Sequence, residues 1–371
     1  MRVGLVVPGG FDPGGQQGVI PALLGLAEAL ARRYDVRVFA AAGRGGVARY
    51  RVAGVEVTQR PGGEPAAALA RAFWRWTRDA GPFDVLHAFW ADRTALLATA
   101  FARAGGAPSV VSIGGGEAVW LADLRYGGAG SIRSRAVMRA ALRLAGVVTA
   151  GTSFAARPLP PALPARIEIV PLGIDVARFA PPPVPPRAGP PWRLIHVANL
   201  NRVKDQPTLL AALRRTVDRL GDVRLDCAGE DTLGGEIQDR ARALGLGEHV
   251  TFHGFVPQAR LAALMREAHL NVLSSRHESQ AVVVLEAAAA GVPTVGTRVG
   301  LLDTLAPGAA RAVPVGDAAA LGDAIVDLLR DTSAREAMGA AAQAFARAHD
   351  LDWTARRFED LYARLAARRR S

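Results

Sequence analysis

The stretch LNVLSSRHESQAVVVLEAAAAGVPTVGT, residues 270–297, contains a complete strand–helix–strand unit. LNVLSS and PTVGT are short apolar runs that suit buried strands. Between them, AVVVLEAAAAG is apolar except for Glu286 and is stopped by Gly291 and Pro293. It predicts a helix over about 281–290, opening close to Ser279, whose hydroxyl would cap it. Two strands joined through a helix run parallel in one sheet, so this unit alone argues for an α/β fold.

The same rhythm extends in both directions. Upstream come the strand WRLIHVANL, a helix from 207 to about 220, the strand VRLDCAG, a helix over 235–244, the strand HVTFHGF and a helix over 258–267. Downstream a helix covers 317–330, and the amphipathic segment WTARRFEDLYARLAARR (353–369) closes the chain. The first half repeats the pattern. VGLVVP (3–8), DVRVFAA (35–41), DVLHAFW (84–90), SVVSI (109–113), GVVTAG (146–151) and IEIVP (167–171) read as strands. Helices are predicted over 20–33, up to about 104, and near 131–145. APPPVPPRAGPPW (180–192) can continue neither helix nor central strand and reads as a linker. The expectation is two Rossmann-like parallel-sheet domains, 1–185 and 186–350, facing a central cleft. Ligands then belong in the loops that follow the carboxyl ends of the strands.

Composition agrees with that reading. A chain of 371 residues suits two domains. A single cysteine, Cys227, excludes an internal disulfide framework. The opening MRVGLVVPGG is too short in its apolar run for a secretory signal, and no stretch approaches a membrane span. A cytoplasmic protein is expected, with peripheral contact at the inner face of the membrane as an option. The net charge of +11 is unevenly shared. Residues 1–185 hold 21 Arg against 12 acidic residues, whereas 186–371 hold 24 basic against 22 acidic. A basic face on the first half suits phosphates, an anionic membrane or simply solvent. Only 6% of residues are aromatic, which argues against single-stranded nucleic acid as a partner.

Three loops hold the chemistry-bearing residues. GGFDPGGQQG (9–18) follows the first strand and includes Gly14 and Gly15. Its glycines would let backbone amides approach an anion, or would serve a plain strand–helix connection, since neither G-x-G-x-x-G spacing nor a Walker lysine is present. ANLNRVKDQ (198–206) contains Lys204, the chain's sole lysine, with Arg202 beside it and Asp205 placed to cap the next helix. RHESQAVVVLE places Glu278 eight residues before Glu286. At ~1.5 Å per helical residue these carboxyls are roughly 10–12 Å apart, too far for a glycosidase pair. They suit the two ends of one elongated ligand, or Glu286 is a buried acid with a structural hydrogen bond. The seven histidines are scattered and form no metal-binding motif, and G-x-S-x-G is missing. His87 and His253 stand at strand ends, where a structural role is as natural as a catalytic one.

These segments together resemble a retaining glycosyltransferase of family 4, with the GT-B fold. HESQAVVVLEAAAAGVPTV is similar to the family's E-x₇-E segment. IVPLGIDVARFAP (169–181) resembles the segment leading out of the first domain, and VANLNRVKDQPTLLAA the one whose lysine holds the donor diphosphate. HVTFHGFVPQARLAALMREAHLNVLSS and DWTARRFEDLY complete the order, the latter similar to a helix that crosses back onto the first domain. The resemblance implies a nucleoside-diphosphate sugar donor, a hydroxyl acceptor that includes the lipid-linked class, and neither metal nor other cofactor. It implies that Lys204 and Arg202 hold the diphosphate, Arg202 standing in for an arginine usual at the position of Asn199. Glu278 would meet the transferred sugar, the amides of Ser279, Gln280, Ala281 and Val282 its distal phosphate, and Glu286 the ribose. Backbone near Val256 would read the base, with Gly14, Gly15 and Gly229 also on the donor side. In SIGGGEAVW (112–120), Gly114 occupies the position of a common histidine, and Gly114 and Glu117 fall on the acceptor side. The basic helix near 131–145, with Arg135, Arg139 and Arg143 in one stripe, would touch an anionic bilayer or a lipid-linked acceptor. A non-catalytic sugar-nucleotide-binding homologue and a sugar-nucleotide epimerase of the same fold are the alternatives.

Overall fold

The computed structural model describes residues 1–371 except 17, 44–45, 162, 164–166, 181–188 and 371, and except the side chains of 368–370. The chain forms two compact units, Met1–Gly173 with Leu351–Ser371, and Ile174–Asp350. They divide at Gly173, ahead of the boundary expected at 185. Most of the proline-rich stretch, 181–188, lies outside the described residues.

The first unit runs β1 (Arg2–Val7), α1 (Pro21–Ala31), β2 (Asp35–Gly43), β3 (Ala48–Val52), β4 (Val55–Pro61), α2 (Ala66–Ala80) and β5 (Val85–Phe89). It continues with α3 (Arg93–Ala104), β6 (Ser109–Ile113), α4 (Ile132–Leu144), β7 (Val147–Ala150), α5 (Ser153–Ala156) and β8 (Ile167–Ile169). Among the described residues its sheet has the order β3-β4-β2-β1-β5-β6-β7-β8. All neighbours are parallel except β3 and β4, which form a hairpin. Ala53 and Gly54 close it with φ of +48° and +76°, the signature of a two-residue hairpin turn whose twist matches the strands.

This hairpin and α2 were not expected from the sequence. Helix α2 buries Leu69, Phe73 and Trp76. Phe73 meets Phe39 of β2 edge-on at 5.1 Å between centroids, and Trp76 lies 4.7 Å from Phe83. A chain poor in aromatics has thus gathered several of them under one helix, where each pair adds about 0.5–1.5 kcal/mol beyond area burial.

The second unit contains α6 (Val176–Phe179), β9 (Trp192–Val197), α7 (Gln206–Leu220), β10 (Val223–Ala228), α8 (Glu236–Ala243), β11 (Val250–Gly254) and α9 (Gln258–Glu267). After these come β12 (Leu270–Leu273), α10 (Val283–Ala289), β13 (Thr294–Thr297), α11 (Leu301–Leu305), β14 (Ala310–Val313), α12 (Ala318–Arg330) and α13 (Thr332–Ala348). Its sheet is parallel, in the order β11-β10-β9-β12-β13-β14. Leu, Val and Ala side chains of β9, β10, β12 and α7 fill its core.

The last helix, α14 (Leu351–Arg370), belongs to the first unit, where it packs on α1 and β5. Thr354 accepts a hydrogen bond from Gly173 N and donates to Pro171 O, both at 2.8 Å. Buried Tyr362 brings its hydroxyl 2.6 Å from Nδ1 of His87, whose Nε2 is 2.7 Å from Ser112 Oγ. Burial lowers the His87 pKa to about 3, so the imidazole stays neutral and acts as a fastener between sheet and helix. The strand-end position of His87 has a structural use. His253, 2.7 Å from Asp226 Oδ1, is likewise tied to a neighbouring strand.

Candidate functional site

In an open parallel sheet, ligands collect where the strand order reverses, because the two loops that leave adjacent strands there part in opposite directions. In the second unit that place lies between β9 and β12, which pair through Leu270 with Leu194 and Asn271 with Ile195. The loops that follow these two strands contain Lys204 and Glu278.

The structure brings the two side chains together. Lys204 Nζ donates to Glu278 Oε1 at 2.5 Å, and Ser275 Oγ donates to the same oxygen at 2.6 Å. Both charged groups are mostly enclosed, with side-chain exposures of 24% and 12%. Each loop is held by its own scaffold. Asn201 Oδ1 accepts from Lys204 N, and Ser274 Oγ donates to Lys204 O at 2.7 Å. Arg276 N donates to Val203 O at 2.8 Å, joining one loop to the other. Asp205 adopts a left-handed conformation and caps α7 through Thr208, as its position before Pro207 suggested. Beneath, buried Gln206 reaches His196 and Asn199 O, and burial lowers the His196 pKa to about 4.

The remaining donor-side candidates spread around this pair. Arg202 does not join it: its guanidinium lies 2.9 Å from Glu236 Oε2, and its side chain is 62% exposed. Asn199 Oδ1 accepts from Glu230 N, tying the β9 loop to the β10 loop. Those loops meet so closely that a Cβ on Gly229 would stand 2.1 Å from Ala198 O. Only glycine fits there. Val256 is half-buried in the connection between β11 and α9. The helix expected to open at Ser279 starts later: α10 begins at Val283, with Val282 as its N-cap and no side-chain cap. Ser279, Gln280 and Ala281 are buried in a loop, with Ala281 at φ +63°, an uncommon conformation for a residue with a Cβ. Gln280 O accepts from Leu301 N, which fastens this loop to the start of α11. Glu286 is buried on α10, and burial raises its pKa to about 7 against opposing effects of Gln258 and Arg178. Ser274, Ser275 and Asn201 were missed by sequence reasoning; the serines closing LNVLSS, directly before the acidic loop, were the available signal.

In the first unit the strand order reverses between β1 and β5. The loop after β1 contains Gly14 and Gly15; Gly15 N donates to Asp12 O, and Gly15 has φ +64°. Tyr50 of β3 holds this loop by donating to Phe11 O at 2.6 Å, a contact unforeseen because the hairpin was. The loops after β5 and β6 are joined by Glu117. Its Oε1 accepts from Ala91 N and Gly114 N at 3.1 Å each, and its Oε2 accepts from Gly115 N at 2.7 Å. Burial raises its pKa while these amides pull it down. The glycine at 114 has a steric cause: a Cβ there would lie 2.7 Å from the Trp90 ring. Trp90 itself has φ +67°.

Comparison with known proteins agrees with this architecture. Residues 191–331 match the family described as glycosyl transferases group 1, and residues 17–173 match the glycosyl transferase 4-like domain. The chain is 32% identical over 372 residues to a phosphatidyl-myo-inositol mannosyltransferase of Mycolicibacterium smegmatis, covering 95% of this chain and 91% of that one. It is 31% identical over 220 residues to a D-inositol 3-phosphate glycosyltransferase of Xylanimonas cellulosilytica, covering 55% and 52% of the two chains. Among solved structures, sucrose-phosphate synthase from Thermosynechococcus elongatus superposes with a TM-score of 0.84 at 18% identity, covering 99% of this chain and all of that one. Anabaena HepE in complex with UDP and glucose gives 0.75 at 18% identity, covering 98% and 99%. The domain matches, the relatives and the superposition together show a glycosyltransferase with the GT-B architecture. The chain belongs to the glycosyl transferases group 1, in the family 4 type.

Proposed function

We propose that this enzyme transfers a sugar, with retained configuration and without a metal ion, from a nucleoside-diphosphate sugar to a hydroxyl acceptor. The observation that carries the reading is the Lys204–Glu278 pair at the strand-order reversal of the second unit. A compact ammonium beside a carboxylate suits a ligand with a phosphate next to sugar hydroxyls. Lys204 Nζ would leave its short contact with Glu278 to meet the diphosphate, and the released carboxylate would accept hydrogen bonds from the sugar. The amides of Ser279 to Val282 would meet the distal phosphate, Glu286 the ribose and the backbone near Val256 the base.

The chemistry then balances without a dedicated base. The bond from the sugar's anomeric carbon to the phosphate oxygen breaks, and its electron pair stays with the phosphate. Lys204 and the amides stabilise that developing charge, a fixed electrostatic contribution of the kind that dominates many enzymes. The acceptor oxygen bonds to the same face of the carbon, and its proton passes to the leaving phosphate oxygen. The names of relatives, a phosphatidyl-myo-inositol mannosyltransferase and D-inositol 3-phosphate glycosyltransferases, support a ring-polyol acceptor, lipid-linked or free. Incubating the protein with UDP-glucose, GDP-mannose and related donors and measuring nucleoside diphosphate release, with and without EDTA and acceptor, tests this. Absence of acceptor-dependent release from every donor would remove the reading.

Peripheral membrane contact through α4 is the remaining proposal. Arg133, Arg139 and Arg143 are exposed and Ile132 is 78% exposed, whereas Arg135 donates to Ala129 O and is only half-exposed. Of the expected stripe, Arg139 and Arg143 are therefore the exposed members. Among the described residues no helix is long and apolar enough to cross a membrane. Sedimentation with vesicles of neutral or anionic lipid tests the contact, and equal binding would sink it.

A further inference from the structure

The geometry points to Trp90 as the residue that selects the acceptor, by offering an indole face to the C–H face of a polyhydroxylated six-membered ring. The inference rests on the glycosyltransfer reading above.

Trp90 directly follows β5, one of the two strands between which the order of the first sheet reverses, so it stands where this fold collects ligands. Its φ of +67° is a true outlier for a bulky side chain. Strand pairing does not explain the conformation. Trp90 N already donates to Ser112 O at 2.8 Å, a bond that an extended residue makes equally well. What the left-handed turn changes is the direction of the side chain, which leaves the alternation of β5 and lies across Gly114 and Gly115. An ideal Cβ would stand 2.7 Å from the ring at Gly114 and 2.9 Å at Gly115, so the ring and any other residue at these positions exclude one another.

The platform is also rigid. Glu117 binds the amides of Ala91, Gly114 and Gly115 through both its oxygens, which fixes the residue after the ring and the two residues beneath it. Such convergence of strain, cleared space and a half-buried carboxylate staple is typical of a preorganised site, because a strained residue persists only where its surroundings over-determine it. Trp90 packs partly on the core and is half-buried, so it is not sealed from solvent. A half-buried aromatic ring beside backbone glycines presents mainly apolar surface. It suits the apolar face of a pyranose or cyclitol, whose hydroxyls stay at the ring's rim.

The test is saturation-transfer NMR from the protein to methyl α-D-mannopyranoside and to myo-inositol, the two ring classes, with glycerol as an acyclic control and UDP as a donor-side control. Wild type, Trp90→Phe and Trp90→Ala are compared, with melting temperature as a check on folding. Transfer to the C–H protons of one or both rings is expected in the wild type. Its affinity should fall about tenfold in Trp90→Ala and largely recover in Trp90→Phe, with UDP affinity unchanged. The two rings distinguish a pyranose acceptor from a cyclitol. Equal binding in Trp90→Ala, no saturable transfer to either ring, glycerol binding as well as the rings, or parallel loss of UDP affinity and stability would each overturn the inference. Because these readouts need no turnover, failure of the donor chemistry appears separately, as absent nucleoside diphosphate release.

Discussion

The two units reverse their strand order in the same way and equip the reversal differently. In the second, the loops after β9 and β12 meet through an ion pair, Lys204 with Glu278, braced by Ser275. In the first, the loops after β5 and β6 are stapled by a carboxylate that takes only backbone amides, beneath an indole ring. On the reading proposed above, one site takes a charged, directional ligand and the other the surface of a neutral ring. The contrast matches a reaction in which charge develops on the leaving group while the incoming partner is an alcohol.

The comparison breaks most sharply at the ion pair. Glu278→Gln keeps an acceptor for Ser275 but loses the charge, and Lys204→Arg keeps the charge but replaces a compact ammonium with a planar fork. Each is expected to lower kcat about 10²–10³-fold, the usual cost of removing one preorganised electrostatic group. Near-normal turnover in both would return the pair to a structural role. Glu286 and His87 respond oppositely to pH. The Glu286 pKa rises from 4.5 to about 7 on folding, so its contribution to stability is complete below pH 4.5 and is lost as pH climbs through 7. The shift corresponds to a loss on the order of 3 kcal/mol. His87 is lowered from 6.5 to about 3, so its contribution is complete above pH 6.5 and lost as pH falls toward 3. Between pH 4.5 and 8, the denaturant midpoint of the wild type should lose ground to that of Glu286→Gln as pH rises. Identical slopes would count against an acid that titrates near neutrality.

A smaller effect is expected at the aromatic end. Gly114→His meets the Trp90 ring and should cost about 1–3 kcal/mol, as overpacking does. In the double variant with Trp90→Gly, which also accepts the positive φ, the cost should shrink. A double-mutant cycle in thermal denaturation measures the coupling, and additivity would deny that the ring and the glycine exclude one another.

The contrast between the two ends was unevenly legible in the sequence. Alternating apolar runs and helical segments located β1, β6, α9 and most of their neighbours within a residue or two, because a parallel strand buried on both faces is written as a short apolar run. The β3–β4 hairpin and α2 escaped: RYRVAGVEVTQRP alternates with charged residues, and α2 buries only a narrow stripe. The ionic end was visible through a lone lysine and a fixed spacing of acids. Trp90 was not, since a left-handed turn after a strand leaves no mark in residue types. The run of three glycines at 114–116 was its only trace. The start of α10 at Val283 rather than near Ser279 follows from Ala281, whose left-handed backbone cannot extend a helix.

The smallest effect on stability, and the finest test of the ionic end, concerns Arg202. Its contact with Glu236 is exposed on both sides, so Arg202→Ala should change stability by less than about 1 kcal/mol. Two outcomes for turnover then separate two pictures of the diphosphate. If Arg202 leaves Glu236 to join Lys204 on the phosphates, Arg202→Ala should raise the donor KM about tenfold and Glu236→Gln should lower it slightly, because the competing carboxylate is gone. Unchanged donor KM in both variants would leave Lys204 as the cation that the site depends on. Asn199, bound through its side chain to Glu230 N, would then mark a position where this chain replaced a phosphate-binding arginine by a loop fastening.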